Sequence, residues 1–312
     1  MMNSNRRTFA KQILGLTAGA VLPTQSLMNI IEEEASKKMF FKISLAEWSL
    51  HKTLFAGKMT NLDFPIIAKR DFGIDIIEYV NQFFKDKAKD QTYLKDLLQR
   101  CKDNGVKNHL IMIDGEGPLA HLDKNEREKA IENHKKWVDA AKYLGCITIR
   151  VNLQGSGESG EVQKAGTEGL ARLCEYAAKV DMNVVVENHG GYTSNGQWLA
   201  KAIADVKMKN CGILGDFGNF CIKRTKDGCD EAYDRYQGMT EFMPHMKAVS
   251  AKSYDFDEQG NCIETDYMRM MKIVKTAKFK GIVGIEYEGG KVSEEEGIRK
   301  TKALLEKVGK MI

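Results

Sequence analysis

The chain has 312 residues, of which 43% are hydrophobic and four are proline, and its formal net charge is +4. This apolar content excludes a disordered protein, and the length suits one large domain or two small ones. Arg6, Arg7 and Lys11 supply three of the four net positive charges, so the remainder is close to neutral. Because it has no basic stripe of the kind that nucleic-acid-binding proteins carry, nucleic acid is not an expected partner.

The N-terminal segment, 1–38, is interpreted as an export signal and a linker. Arg6-Arg7 is followed by Phe9, Lys11 and a mildly apolar run from Ile13 to Leu22, an order that resembles a twin-arginine signal. The run is too short to span a bilayer, so no stable membrane anchor is expected. The small residues 18–20 offer a cleavage site, and the mature protein is expected to be periplasmic or exported. The alternative is a disordered arm that contains two arginines by chance.

From residue 41 onward, short apolar runs alternate with longer amphipathic segments. Continuous apolar runs are typical of parallel strands that are buried on both faces. Their starts recur at regular intervals, which predicts a single (β/α)8 TIM barrel over residues 39–312. A doubly wound open sheet is less favoured, because the chain contains no glycine-rich phosphate loop. The eight runs are 41–49, 73–80, 108–117, 146–155, 183–191, 211–220, 246–256 and 281–290.

The seven cysteines form no CxxC pair, and several lie inside apolar runs. We therefore expect buried thiols, and neither a disulfide framework nor a zinc knuckle. The cysteines are residues 101, 146, 174, 211, 221, 229 and 262.

Three of the predicted strands carry a carboxylate at matched depth. Glu187 lies four residues after the start of its run, and Asp216 and Glu286 lie five after theirs. In such barrels the active site lies at the carboxyl ends of the strands, so these side chains should converge there. Three unpaired buried acids repel one another, and a divalent cation would relieve that repulsion. The spacing therefore predicts a metal site formed by Glu187, Asp216 and Glu286.

The seventh strand places a serine and a lysine at the same depth. Five residues after His245 comes Ser250, and Lys252 lies on the same face of the strand. His245 itself lies at the opposite end of the barrel and is interpreted as a packing or capping residue. The functional candidates in this run are therefore Ser250 and Lys252.

Five motifs together resemble the xylose isomerase-like TIM barrels, the sugar phosphate isomerase/epimerase group. They are "SLAEWSLH", "VVVENHGG", "GDFGNF", "AVSAKSYD" and "GIEYEGG", and the resemblance extends over residues 41 to 312. It implies one divalent cation held by Glu187, Asp216 and Glu286, with Ser250 where the family usually has a histidine. Serine is a weak neutral ligand, so Mg or Mn is favoured, with Zn or Co as alternatives. Alternatively, the metal is lost and Lys252 neutralises the acids.

The resemblance also implies the chemistry, which is proton transfer next to a carbonyl through an enediolate. Glu187 and Glu286 are the expected acid and base, with Lys252 as a third catalytic residue. A non-phosphorylated sugar or keto-sugar derivative is the expected substrate, and the family suggests a homo-oligomer. The alternatives are a lyase or hydrolase of keto-glycosides, a non-catalytic sugar-binding barrel and, least favoured, a DNA-repair endonuclease.

Further polar and aromatic residues end the predicted strands near the same mouth. His189, Glu78, Trp48, Asn219 and Ser250 are the candidates for binding substrate, because a tryptophan can stack on a sugar ring and polar groups can bind hydroxyls. Packing in the core or in a loop is an equally good explanation for the weaker candidates, which are Glu47, His51, Asp114, Glu116, Arg150 and Asn152.

Overall fold

The structure, a computed structural model, describes residues 39–312, in which eight parallel strands close into a barrel. Ten strands occur in this part of the chain: β1 (Lys42–Ala46), β2 (Ile76–Val80), β3 (Lys107–Met112), β4 (Thr148–Val151), β5 (Asn183–Glu187), β6 (Cys211–Asp216), β7 (Cys221–Thr225), β8 (Gly228–Ala232), β9 (Met246–Ser253) and β10 (Ile282–Tyr287). The barrel order is β1-β10-β9-β6-β5-β4-β3-β2. The predicted barrel is therefore confirmed, whereas the predicted export signal lies outside the described residues.

Helices follow the barrel strands and cover the outside of the barrel. Short polar side chains begin several of them: Asp123 accepts hydrogen bonds from the backbone of Asn125 and Glu126, and Gly145 ends the same helix in the left-handed conformation. Within residues 39–312, no helix combines the length and apolarity needed to cross a membrane. The helices are α1 (His51–Phe55), α2 (Phe64–Phe72), α3 (Gln91–Asp103), α4 (Lys124–Leu144), α5 (Ser159–Ala178), α6 (Gly196–Val206), α7 (Arg235–Phe242), α8 (Tyr267–Thr276) and α9 (Glu294–Met311).

The barrel interior contains an apolar cluster, with buried polar side chains beside it and at the carboxyl ends of the strands. A compact set of inward-facing apolar side chains fills the barrel, and Trp48 and Phe83 pack against this set. The larger apolar core lies between the barrel and the helices. Polar side chains collect beyond the apolar filling, at the carboxyl ends of the strands. The seven interior residues are Ala46, Val80, Leu110, Met112, Val185, Leu214 and Ala248.

The strand register brings the predicted site residues side by side. Asp216 on β6 is paired with Ser250 on β9, and Lys252 on β9 is paired with Glu286 on β10. His245 belongs to the short 3-10 helix that precedes β9, at the other end of the barrel. The register therefore supports the interpretation of His245 as a residue away from the mouth.

The expectation about the cysteines is wrong for one pair. Five cysteines are buried thiols, as expected, but Cys221 and Cys229 form a disulfide. The two residues lie on β7 and β8, which form an antiparallel hairpin after β6. Both strands are short and largely exposed, so the apolar pattern that identified the barrel strands is absent from them. Antiparallel pairing brings the two Cα atoms to 5.8 Å, a separation that suits a disulfide.

Candidate functional site: a carboxylate cluster at the barrel mouth

The three predicted carboxylates meet at the carboxyl ends of their strands. Glu187, Asp216 and Glu286 are all buried, and each offers one oxygen that lies within 4.8 Å of the other two. Glu187 and Asp216 are the last residues of β5 and β6, and Glu286 is the penultimate residue of β10. We call these three side chains the carboxylate cluster.

Two buried cations compensate part of the negative charge. Lys252 Nζ lies 2.8 Å from Glu286 Oε1 and 3.3 Å from Glu288 Oε2. Arg150 Nη1 donates to Asp114 at 2.7 Å, and its Nε lies 2.8 Å from Glu187 Oε2. That Nε does not have hydrogen-bond geometry to Glu187, so Glu187 Oε2 is buried without a hydrogen-bond donor from the protein. This oxygen remains available to a ligand.

Ser250 fills the space between two of the carboxylates. Its Oγ donates to Asp216 Oδ2 at 2.7 Å and lies 3.2 Å from Glu286 Oε2. On the other side, Asn219 Nδ2 donates to Glu187 Oε1 at 3.2 Å. The backbone nitrogens of Gly218 and Asn219 each donate to Asp216 Oδ1 at 2.8 Å. Short polar contacts on β6, β9 and the loop after β6 therefore fix the orientation of the cluster.

The environment divides the three acids into two kinds. Burial raises the pKa of Glu187 to about 7, against the opposing effect of Arg150, and burial also raises the pKa of Asp216 to about 7. Burial disfavours the charged form of Glu286 as well, but the Lys252 ammonium outweighs it and lowers the pKa of Glu286 below its ordinary value. At neutral pH, Glu286 is therefore ionised, whereas Glu187 and Asp216 are each partly protonated.

The oxygen atoms of the carboxylate cluster suit a hard divalent cation as ligands. Three carboxylates supply oxygen ligands, and Glu187 Oε2 has no hydrogen-bond donor of its own. Magnesium and manganese prefer such oxygen ligands and accept water or substrate at the remaining positions. Lys252 and Arg150 lie among five carboxylates, those of the cluster together with Asp114 and Glu288, so acidic groups outnumber basic ones where a divalent ion would enter.

The remaining predicted residues occupy different levels of the barrel. His189 is an exposed residue near the cluster. Desolvation of its ring lowers its pKa, and the positive charges of Arg150 and Lys252 lower it further. Trp48 Nε1 donates to Glu288 above the cluster. Glu78 lies deeper in the barrel, where the Ser44 hydroxyl donates a hydrogen bond to its carboxylate at 2.6 Å. A side chain on Gly284, two residues before Glu286, would collide with the Glu78 carboxylate.

The weaker candidates occupy three different positions. Arg150, Asp114 and Asn152 form one network at the mouth, because Asn152 Nδ2 also donates to Asp114 Oδ1 at 2.7 Å. Glu47 and Glu116 point away from the cluster: Glu47 accepts from Asn61 and Val80, and Glu116 accepts from Lys136 and Trp137 on α4. His51 stacks on Trp48 at the rim.

Sequence reasoning missed two residues at this site. Asn188 joins the ends of β5 and β6, because its side chain donates to the Asp216 carbonyl and accepts from the Asp216 amide. Glu288 links Trp48 to Lys252. Glu288 follows Glu286 by two residues on the same face of the chain, and this spacing was a signal that could have identified it.

Comparisons with known proteins identify the family and the fold. Residues 67–308 match the family model described as xylose isomerase-like TIM barrel. No curated protein is significantly similar to the sequence. Solved structures that resemble the chain have low sequence identity to it, so they support the fold alone.

Three of these structures illustrate the range of similar proteins. The 3-keto-D-glucoside 4-epimerase from E. coli has 14% identity and a TM-score of 0.61, with 86% of this chain and 99% of that chain covered. An L-ribulose 3-epimerase has 14% identity and a TM-score of 0.67, with coverages of 87% and 95%. The IolI protein with a bound zinc atom has 15% identity and a TM-score of 0.66, with coverages of 87% and 99%. The family match extends over most of the described residues, and the chain belongs to the xylose isomerase-like TIM barrel family.

Proposed function

We propose that this chain is a sugar isomerase or epimerase that transfers a proton next to a carbonyl through an enediolate. The observation that carries the proposal is the convergence of Glu187, Asp216 and Glu286 within 4.8 Å at the barrel mouth. Buried acids with shifted pKa values in such a position are typical of catalytic sites. The E. coli structure similar to this chain is named as a keto-glucoside epimerase, which supports the same class of chemistry.

The two glutamates suit the two roles in proton transfer. Glu286 is ionised beside Lys252 and acts as the base that takes a proton from one face of the substrate carbon. Glu187, whose pKa is raised to about 7 by burial, returns a proton to the other face. β5 and β10 are separated by two strands around the barrel, so the two carboxyl groups approach from different sides. Lys252 stabilises the negative charge that develops on the substrate oxygens.

Glu187, Asp216 and Glu286 are the residues that would hold a divalent ion, with magnesium or manganese favoured. When bound, such an ion would supply a positive charge beside the substrate oxygens. Ser250 would lie next to it as a neutral hydrogen-bond partner of Asp216.

The charge pattern favours a substrate without a phosphate group. Within the described chain, the two buried cations at the mouth are already paired: Arg150 with Asp114 and Glu187, and Lys252 with Glu286 and Glu288. A phosphate would have to compete with these carboxylates for both cations. A non-phosphorylated sugar or keto-sugar derivative avoids this competition.

The test is hydrogen–deuterium exchange at a substrate C–H in D2O, followed by NMR over a panel of keto-sugars with added Mg²⁺ or Mn²⁺. Glu187→Gln and Glu286→Gln should each lower the exchange rate by at least about 100-fold, because each removes one proton-transfer group. NMR of the product should show an inverted centre or a moved carbonyl.

Glu116→Gln is the matched control, because this carboxylate also follows a barrel strand but points to Lys136 and Trp137 on α4. It should retain the wild-type exchange rate. Near-normal exchange in either cluster variant would refute the assigned roles. Sugar binding without exchange in the wild type would instead support a non-catalytic sugar-binding barrel.

A further inference from the structure

A group of aromatic rings lies at the rim of the barrel mouth, beyond the carboxylate cluster. Trp48, Phe55 and Phe83 have ring centroids 5.2 to 6.0 Å apart, and we call these three residues the aromatic shelf. Trp48 and Phe83 pack against the apolar filling of the barrel, whereas Phe55 is 61% exposed. The shelf therefore runs from the barrel interior to solvent.

A chain of polar contacts joins the shelf to the carboxylate cluster. Trp48 Nε1 donates to Glu288, Glu288 lies 3.3 Å from Lys252 Nζ, and Lys252 lies 2.8 Å from Glu286. The shelf thus begins just beyond the groups that would hold the reacting sugar. Glu288 and Lys252 lie at the junction, where they can bind hydroxyls between the two regions.

The shelf is held in place by the protein itself. Glu294, in the first turn of α9, accepts from the backbone nitrogens of Lys52 and Thr53 at 2.6 and 3.0 Å and from the Thr53 hydroxyl at 2.6 Å. These bonds satisfy the start of α1, the short helix that carries Phe55. His51 adds a ring stacked on Trp48, with centroids 4.9 Å apart. A rigid aromatic surface loses little conformational freedom when a ligand binds.

We propose that the aromatic shelf binds a second ring joined to the reacting sugar, so that the substrate is a glycoside. This proposal rests on the proposed function. The faces of pyranose and aryl rings are rich in C–H or π surface, and both pack well on aromatic side chains. Exposed aromatic groups beside a polar, concave site are a common feature of ligand-binding sites. The three rings provide contacts that a lone monosaccharide held at the cluster would leave unused.

The test compares methyl, phenyl and glucosyl glycosides of one keto-sugar that the wild-type protein exchanges. Phe55→Ala should lower the ratio of kcat/KM for the phenyl glycoside to that for the methyl glycoside by about three- to tenfold. The phenyl and glucosyl arms distinguish an aryl group from a second sugar as the preferred ring. Phe83→Ala should lower the same ratios, because it removes a second ring of the shelf.

Tyr143→Ala is the matched control, because Tyr143 is also an exposed aromatic residue but lies on the outer surface, at the end of α4. It should leave both ratios unchanged. If Phe55→Ala and Phe83→Ala also leave the ratios for both the phenyl and the glucosyl glycoside unchanged, the shelf does not bind a second ring and the proposal is overturned.

A binding measurement separates this proposal from the proposed function. Calorimetry should show a lower Kd for the phenyl or glucosyl glycoside than for the methyl glycoside, and Phe55→Ala should reduce that difference. If this holds while the wild type exchanges no C–H, the shelf stands and the enzymatic proposal fails. If Phe55→Ala instead converts a dimer into a monomer in sedimentation and leaves the Kd difference intact, the shelf is an interface between copies and the proposal is overturned.

Discussion

Ser250 occupies the position at which the family resemblance implies a histidine. Its hydroxyl donates a hydrogen bond to Asp216 at 2.7 Å, so the serine orients this proposed metal ligand and supplies no ligand nitrogen of its own. We predict that Ser250→His raises the affinity for Zn²⁺ by about tenfold or more, because imidazole nitrogen suits zinc better than a hydroxyl does. Competition with a chromophoric chelator measures this affinity without reference to activity.

Ser250→Ala provides the control for that substitution, because it removes the hydroxyl without adding a nitrogen. It should not raise the affinity for Zn²⁺. Equal Zn²⁺ affinities for Ser250→His and the wild type would mean that the β9 position does not face the ion. The carboxylate cluster would then have to bind metal without β9.

Glu47 is a buried acid with no assigned role in the proposed reaction. Its oxygens accept from Asn61 and from the Val80 amide, and burial raises its pKa to about 8 from the ordinary value of 4.5. Between these two values the unfolded chain releases the proton while the folded chain keeps it. The Glu47 contribution to stability is therefore lost as the pH rises from about 4.5 to 8, by up to about 1.4 kcal/mol per pH unit.

Glu47→Gln removes this titration. We expect denaturant unfolding from pH 5 to pH 8 to show that the free energy of unfolding of the variant increases relative to that of the wild type as the pH rises. At pH 5 the variant should be the less stable protein, because an amide NH2 replaces one of the two acceptor oxygens. Glu295→Gln, which removes an exposed carboxylate of α9, is the control for the loss of one negative charge. If the free energies of unfolding of Glu47→Gln and the wild type differ by the same amount at every pH, the raised pKa is contradicted.

At the residue scale, the sequence predicted correctly the positions of side chains that depend only on strand geometry. Counting residues along parallel strands was enough to predict that Glu187, Asp216 and Glu286 lie together, because the strand ends meet at one edge of the barrel. Glu47 lies in the first predicted strand run, but β1 ends at Ala46, and the 3-10 helix that begins at Glu47 directs its side chain toward Asn61. Such local turns depend on contacts between distant segments, which spacing along one strand does not contain.

At the element scale, the sequence pattern identified the barrel strands but not the hairpin strands. Each of the eight predicted runs contains or overlaps one barrel strand, since a strand buried on both faces leaves a clear apolar run. β7 and β8 have the sequences CIKRT and GCDEA and are largely exposed, so they contain no continuous apolar run that would identify them as strands. Their pairing depends on the antiparallel register and on the Cys221–Cys229 disulfide.

The disulfide should stabilise the hairpin locally. Cys221 and Cys229 are separated by eight residues, and closing a loop of this size is worth about 2 to 3 kcal/mol in the chain-entropy model. We predict that replacing both cysteines with serine increases amide hydrogen exchange in β7 and β8 and in the adjacent turn Gly191–Ser194. Exchange in β2 and β3, across the barrel, is the internal control. Unchanged exchange in the hairpin would mean that its packing alone holds it.

At the scale of the whole molecule, the composition of the chain agrees with its architecture. Beyond Ile31 the net charge is close to zero, and the positive groups buried at the mouth are matched by carboxylates. The predicted signal and the barrel are therefore separate in charge as well as in sequence.

We propose that the twin arginine directs export, and the cysteines provide a test that is independent of activity. Disulfides persist in oxidising compartments and are rare in the cytosol. Exported protein should therefore carry the Cys221–Cys229 bond and five free thiols, which are Cys101, Cys146, Cys174, Cys211 and Cys262. Replacing Arg6 and Arg7 with lysine should retain the protein in the cytoplasm with seven free thiols, counted by mass spectrometry after alkylation in denaturant.

A control variant, Lys58→Arg, alters an exposed basic residue of the barrel domain and should leave localisation unchanged. If the double lysine variant still reaches the periplasm with its disulfide formed, Arg6 and Arg7 are not the export signal.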